Sequence, residues 1–225
     1  MGRDNSPENR RIRKLERKQA AFQKFDRILI VSEGSKTEPN YLREIMRCYR
    51  VPSATYCILP SQYGTSPKQV VEFARDIFLY GDPRQRIKPR SFERIYALFD
   101  RDEHKSYHDA LKLSENFIHT PLINDMDEKV LFRAIASVPN FELWLLSHYK
   151  LVREPISRKE VVRELKKYIK NYEKGQKGYF DLTKHLLEVA FKNIAILVKN
   201  TNAFDGNMPY SDMGGLVKFL VNIKS

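Results

Sequence analysis

Residues 27–42 read RILIVSEGSKTEPNYL, and the change of pattern inside this stretch decides the fold. Ile28, Leu29, Ile30 and Val31 form a short continuous apolar run that stops at Ser32, Glu33 and Gly34, the pattern of a strand buried on both faces. Thr37 and Pro39 then open a segment in which Tyr41, Leu42, Ile45 and Met46 recur at helical spacing. Thr37 is placed to cap that helix, and Pro39 is tolerated in its first turn.

The alternation repeats downstream. Residues 54–59 carry a second strand signal, and Ser66-Pro67 starts a helix with Val70, Val71, Phe73, Ala74, Ile77 and Phe78 on one face. After the loop GDPRQRIKPR at 81–90, the run RIYALF at 94–99 reads as a third buried strand that ends in Asp100, Arg101 and Asp102. A helix over about 105–119 and a strand over 130–137, VLFRAIAS, complete the series. Strands and helices at this interval predict βαβ units and an α/β fold: a parallel four-stranded sheet flanked by helices.

From Phe141 onward the strand signal ends. Segments near 140–149, 158–173, 179–199 and 211–223 are amphipathic and helical, interrupted by Pro155, Gly175, Gly178 and the turn-rich Asp205-Gly206-Asn207-Met208-Pro209. Trp144, Leu145 and Leu146 belong to the core. The chain therefore divides into a basic arm at 1–24, an α/β core at 25–150 and a C-terminal helical region at 151–225 packed on that core. The arm carries Arg10, Arg11, Arg13, Lys14, Arg17 and Lys18 with few large apolar side chains, and suits a solvated helix, a tail or a phosphate-binding arm.

Lys and Arg number 40 against 28 Asp and Glu, a net charge of +12, which favours a polyanionic partner such as nucleic acid without naming any chemistry. An apolar share of 42% supports a packed core. No apolar run approaches the length of about 18 residues that a membrane span needs, and the N-terminus lacks the apolar segment of a secretory signal. A cytoplasmic protein is the expectation. Cys48 and Cys57 have no partners at metal-ligand spacing and read as buried thiols.

In an open parallel sheet, ligands bind beyond the carboxyl ends of the strands, near the point where strand order reverses. Glu33 stands just past the first strand, and Asp100 and Asp102 at the end of the third. Alternate residues of an extended segment point the same way, so Asp100 and Asp102 can share one ligand. Three carboxylates held together repel unless a cation neutralises them, and oxygen donors without Cys or His select Mg²⁺ or Mn²⁺ over zinc. The same residues also suit strand-end turns and helix caps. Glu142, after Asn140-Phe141, either adds a fourth carboxylate to this metal site or complements a helix N-terminus.

These pieces resemble a known family. Residues Ile28 to Tyr41, Phe99-Asp100-Arg101-Asp102, the run Asn140 to Leu146 and the late Asn207-Met208-Pro209-Tyr210-Ser211 look like the RloB and AbiL second-component family of prokaryotic defence proteins. The resemblance covers about 27–221, and that family is similar in turn to TOPRIM proteins. It implies a TOPRIM-like, Rossmann-like fold in which Glu33 matches the TOPRIM glutamate, and Asp100 and Asp102 the metal-binding pair of a Mg²⁺-dependent phosphotransfer site. The family's usual late Asn-Pro reads Asn207-Met208-Pro209 here.

The implied activity is a metal-dependent nuclease of an anti-phage, abortive-infection system, cutting RNA such as tRNA rather than DNA, beside an ATPase partner encoded nearby. Glu33, Asp100 and Asp102 would be catalytic, and Lys36, Arg84, Arg86, Lys88, Arg90 and Arg101 would grip the nucleic acid from loops or the active rim. The alternative is a non-catalytic nucleic-acid or nucleotide-binding subunit of a defence ATPase. The oligomeric state, a homo-oligomer included, stays open.

Overall fold

The computed structural model describes residues 6–8, 10, 11, 14, 25–101 and 106–223. The first strand, β1 (Ile28–Ser32), is buried along its whole length and pairs in parallel with β2 (Tyr56–Pro60) on one side and β3 (Arg94–Asp100) on the other. Side chains alternate across a strand, so Ile28 and Ile30 join one apolar cluster while Leu29 and Val31 join a second on the opposite face. That is why its apolar run is continuous.

The sheet has five strands in the order β2-β1-β3-β4-β5, with β4 at Leu131–Val138 and β5 at Tyr210–Ser211. The four predicted parallel strands are present, and the expectation of a four-stranded sheet is corrected by β5, which runs antiparallel to β4 with Ser211 opposite Ser137. Two residues are too few for a period to be read from sequence. The Asp212 carboxylate accepts from the Ala136 N–H at 3.1 Å and prolongs this edge.

Helices cover both faces. On the second face lie α2 (Pro67–Tyr80) and α3 (Tyr107–His119). On the first lie α1 (Thr37–Cys48), the short α4 (Glu142–Ser147), α5 (Arg158–Tyr168), α6 (Tyr179–Thr183), α7 (Leu187–Asn200) and α8 (Met213–Val221). Val161, Leu165, Phe180, Leu197 and Leu216 of the helical region share one cluster with Ile30, Leu42 and Trp144. Gly214 permits this approach, since a Cβ there would lie 2.8 Å from Ile194 Cγ2.

Local signals mark the helix starts unevenly. Ser66 and Gln69 form a capping box at α2, and Ser157 with Glu160 forms one at α5. Thr37 does not cap α1 as expected: it is the first helical residue, and its Oγ1 accepts instead from the Gly175 N–H at 3.0 Å. Cys48 is exposed and Cys57 half-buried, which corrects the expectation of two buried thiols. Cys48 closes an amphipathic helix on its solvent side. Arg10, Arg11 and Lys14 of the arm are exposed, whereas Arg13, Arg17 and Lys18 lie outside the described residues. Among the described residues no helix is long and apolar enough to cross a membrane.

Trp144 is wholly buried between α1, α4 and α7 of this cluster. Trp144→Ala is expected to destabilise the protein by roughly 3–5 kcal/mol, read as a lowered midpoint in urea unfolding.

Candidate functional site

The connection β1-α1-β2 runs toward one edge of the sheet, and β2-α2-β3 carries the chain back past β1. Strand order therefore reverses between β1 and β3, and the crevice beyond their carboxyl ends is where this fold class binds ligands. Glu33 extends the β1–β3 ladder by one bond, its N–H donating to Leu98 O at 2.9 Å. Its carboxylate accepts the Asp100 N–H at 3.2 Å, so Glu33 and Asp100 are brought together as predicted.

Two further carboxylates join them. Glu38, in the first turn of α1, is 9% exposed and leans over Gly34, where a Cβ would stand 2.9 Å from Glu38 Oε2. Glu142, the first residue of α4, is 1% exposed and accepts from the Tyr172 hydroxyl at 2.9 Å. Cations from the helical region meet this rim: Arg158 Nη2 donates to Asp100 Oδ2 at 2.9 Å, and Lys174 Nζ lies 3.1 Å from Glu142 Oε1.

Burial and the repulsion of neighbouring carboxylates raise the proton affinity of Glu38 and Asp100. Burial, then the charges of Glu142 and Glu33, push the Glu38 carboxyl up to about 7, against the opposing pull of Lys174. Asp100 is pushed well above the usual carboxylate range by burial and by Glu38, with Arg158 opposing. A cation at the rim would relieve both.

The donor chemistry suits a hard divalent ion. Carboxylate oxygens dominate, and Asn140, fully buried between β4 and α4, leaves both amide atoms without a hydrogen-bond partner. Among the described residues no three acidic, His or Cys side chains stand close enough to enclose an ion. Asp102 lies outside the described residues.

Of the six basic residues expected to grip a substrate, Lys36 and Arg101 flank the rim. Lys36 is exposed immediately before α1, and the Arg101 guanidinium lies over the Tyr107 ring at 5.3 Å. Arg84, Arg86, Lys88 and Arg90 stand on the loop and away from the rim. They precede β3 and so lie at its amino end, about 20 Å along the strand from Asp100. Arg90 is also occupied in the fold, donating to Ile123 O at 2.7 Å and Asn124 O at 2.9 Å.

Sequence reasoning missed Glu38, Asn140, Arg158 and Lys174. Glu38 had a signal in its placement one helical turn past the strand-end glycine, and Asn140 in its place between strand and helix. Arg158 and Lys174 had none, because a partly exposed cation on a polar surface looks like any other.

Fold and rim together define an α/β protein with an acidic site at the switch point of a mainly parallel sheet, screened by cations from its helical region. The chain matches the family model described as RloB-like protein over residues 28–220, and it belongs to that family. Comparisons with curated proteins and with solved structures find no match.

The raised Glu38 carboxyl sets a pH dependence. Between 4.5 and about 7 the folded state binds more protons than the unfolded chain, so this group's contribution to stability falls as pH rises through that window. Glu38→Gln is expected to flatten the fall, as measured by urea unfolding across this pH range in the absence of divalent ions.

Proposed function

We propose that this chain is a divalent-metal-dependent enzyme that cuts nucleic acid, RNA such as tRNA in preference to DNA, through a TOPRIM-like site at the carboxyl edge of the sheet. The observation that carries this reading is the pairing of Glu33 with Asp100 at the switch point, beside the buried carboxyls of Glu38 and Glu142. Family membership and a charge of +12 support it.

Asp100 and Glu33, with Asp102, would hold Mg²⁺ or Mn²⁺, and Glu142 lies within electrostatic reach of Asp100 at the same rim. When bound, the ion supplies Lewis-acid stabilisation of charge on the scissile phosphate. Glu33, half-buried and open to the crevice, is placed to accept a proton from an attacking water. Lys36 and Arg101 flank the rim where phosphates adjoining the cut would lie, and Arg101 adds the Tyr107 stack that orients its guanidinium. The loop of Arg84, Arg86 and Lys88 grips a more distant part of the polyanion. A role in anti-phage defence, under an ATPase partner, completes the proposal.

A second reading, a nucleic-acid-binding subunit without catalysis, is favoured by the ion pairs of Arg158 and Lys174, which already neutralise two of the carboxylates. Incubation with tRNA, single-stranded RNA and DNA in Mg²⁺ or Mn²⁺ separates the two. The nuclease reading expects cleavage by the wild type and a loss of at least about 100-fold in Asp100→Asn, more than the usual cost of losing a supporting group around a metal. Intact substrates throughout, with or without ATPase, would establish the binding module.

A further inference from the structure

Arg158 and Lys174 reach the rim from the helical region, which supplies none of the parallel strands. Arg158 is the first residue of α5, and its guanidinium side chain is 40% exposed while that of Asp100 is 12% exposed. Lys174 is 57% exposed against 2% for Glu142. In each pair the anion is fixed in the protein and the cation reaches it from solvent.

Both anions are carried on backbone that the fold holds in place. Asp100 ends β3, with Ser137 across the ladder, and Glu142 starts α4 with its carboxylate held by the Tyr172 hydroxyl. The backbone that carries Lys174 is likewise pinned against α1: the Asn40 amide donates to Gly175 O at 2.9 Å, and the Gly178 and Phe180 N–H groups donate to the Glu44 carboxylate at 2.5 and 2.9 Å. The Arg and Lys side chains themselves are long, flexible and half in water, so they can let go at small cost.

Oxygen atoms that face a guanidinium or an ammonium are the same ones that a divalent ion would take. We infer that Arg158 and Lys174 are resident counter-ions of the acidic rim, which hold Asp100 and Glu142 in the metal-free protein and are displaced when a divalent cation binds. This rests on the metal-dependent reading of the site. The helical region thereby sets the metal affinity of a site built on the sheet.

Mn²⁺ titration followed by electron paramagnetic resonance, with melting curves in parallel, tests this on the wild type, R158A and K174A. R158A is expected to bind Mn²⁺ roughly tenfold more tightly, the worth of one charge-assisted hydrogen bond, and K174A more tightly by a smaller factor because its cation is more exposed. Without metal R158A should melt below the wild type, and saturating Mn²⁺ should close that gap.

If the wild type binds Mn²⁺ and both variants bind it equally or less well, or the melting gap persists at saturation, the pairs are structural only and the inference fails. If the wild type binds no Mn²⁺, the metal-dependent reading fails and this inference with it. Should R158A not fold, K174A decides alone, since its exposed side chain can be lost without disturbing the core.

Discussion

Ile28, Leu29, Ile30 and Val31 have no contact with water, and strands pair with both edges of β1. A strand in this position has to be covered front and back, so the chain must lay helices on both faces of the sheet. α1 goes to one face, α2 and α3 to the other. Winding toward both faces makes the chain reverse direction in the sheet, and the reversal falls between β1 and β3. No strand connection crosses the crevice left there, and the chain places Glu33 and Asp100 at its mouth.

The electrostatics of the rim follow from that crowding. Two carboxylates meet at the strand ends, and two more come from the first turns of α1 and α4, where the helix termini favour negative charge. Burial leaves little water to screen them, which is why Glu38 and Asp100 hold protons more tightly than ordinary carboxyls. In a chain with a surplus of 12 positive charges the local sign is inverted, and the cations that answer it come from α5 and the segment before α6. The helical region thus covers an apolar face with Leu165 and Phe180 while meeting the acidic rim with Arg158 and Lys174.

Several elements were legible because their signal is local. The four-residue apolar run of β1, the RIYALF of β3 and the Ser66-Pro67 start of α2 each carry their structure in adjacent residues, and all three form where expected. Failures occurred where the signal was short or needed the topology. β5 is two residues long and exists only because β4 offers it an edge. Arg84, Arg86, Lys88 and Arg90 were read as a loop, and their distance from the rim follows from topology, since the loop before a parallel strand lies at its amino end. Cys48 was placed inside from residue type, where its position on the α1 face decided otherwise.

The amino-acid sequence by itself determined the alternation of strand and helix, the parallel sheet buried on both faces, and the arrival of Glu33 and Asp100 at one edge, because each depends on hydrophobic period and chain direction. Only the tertiary structure decided that Glu38 and Glu142 crowd the same rim, and that Arg158 and Lys174 answer their charge. Repulsion and pairing between buried charges depend on distance through space, and distant segments acquire such distances only when the helices pack.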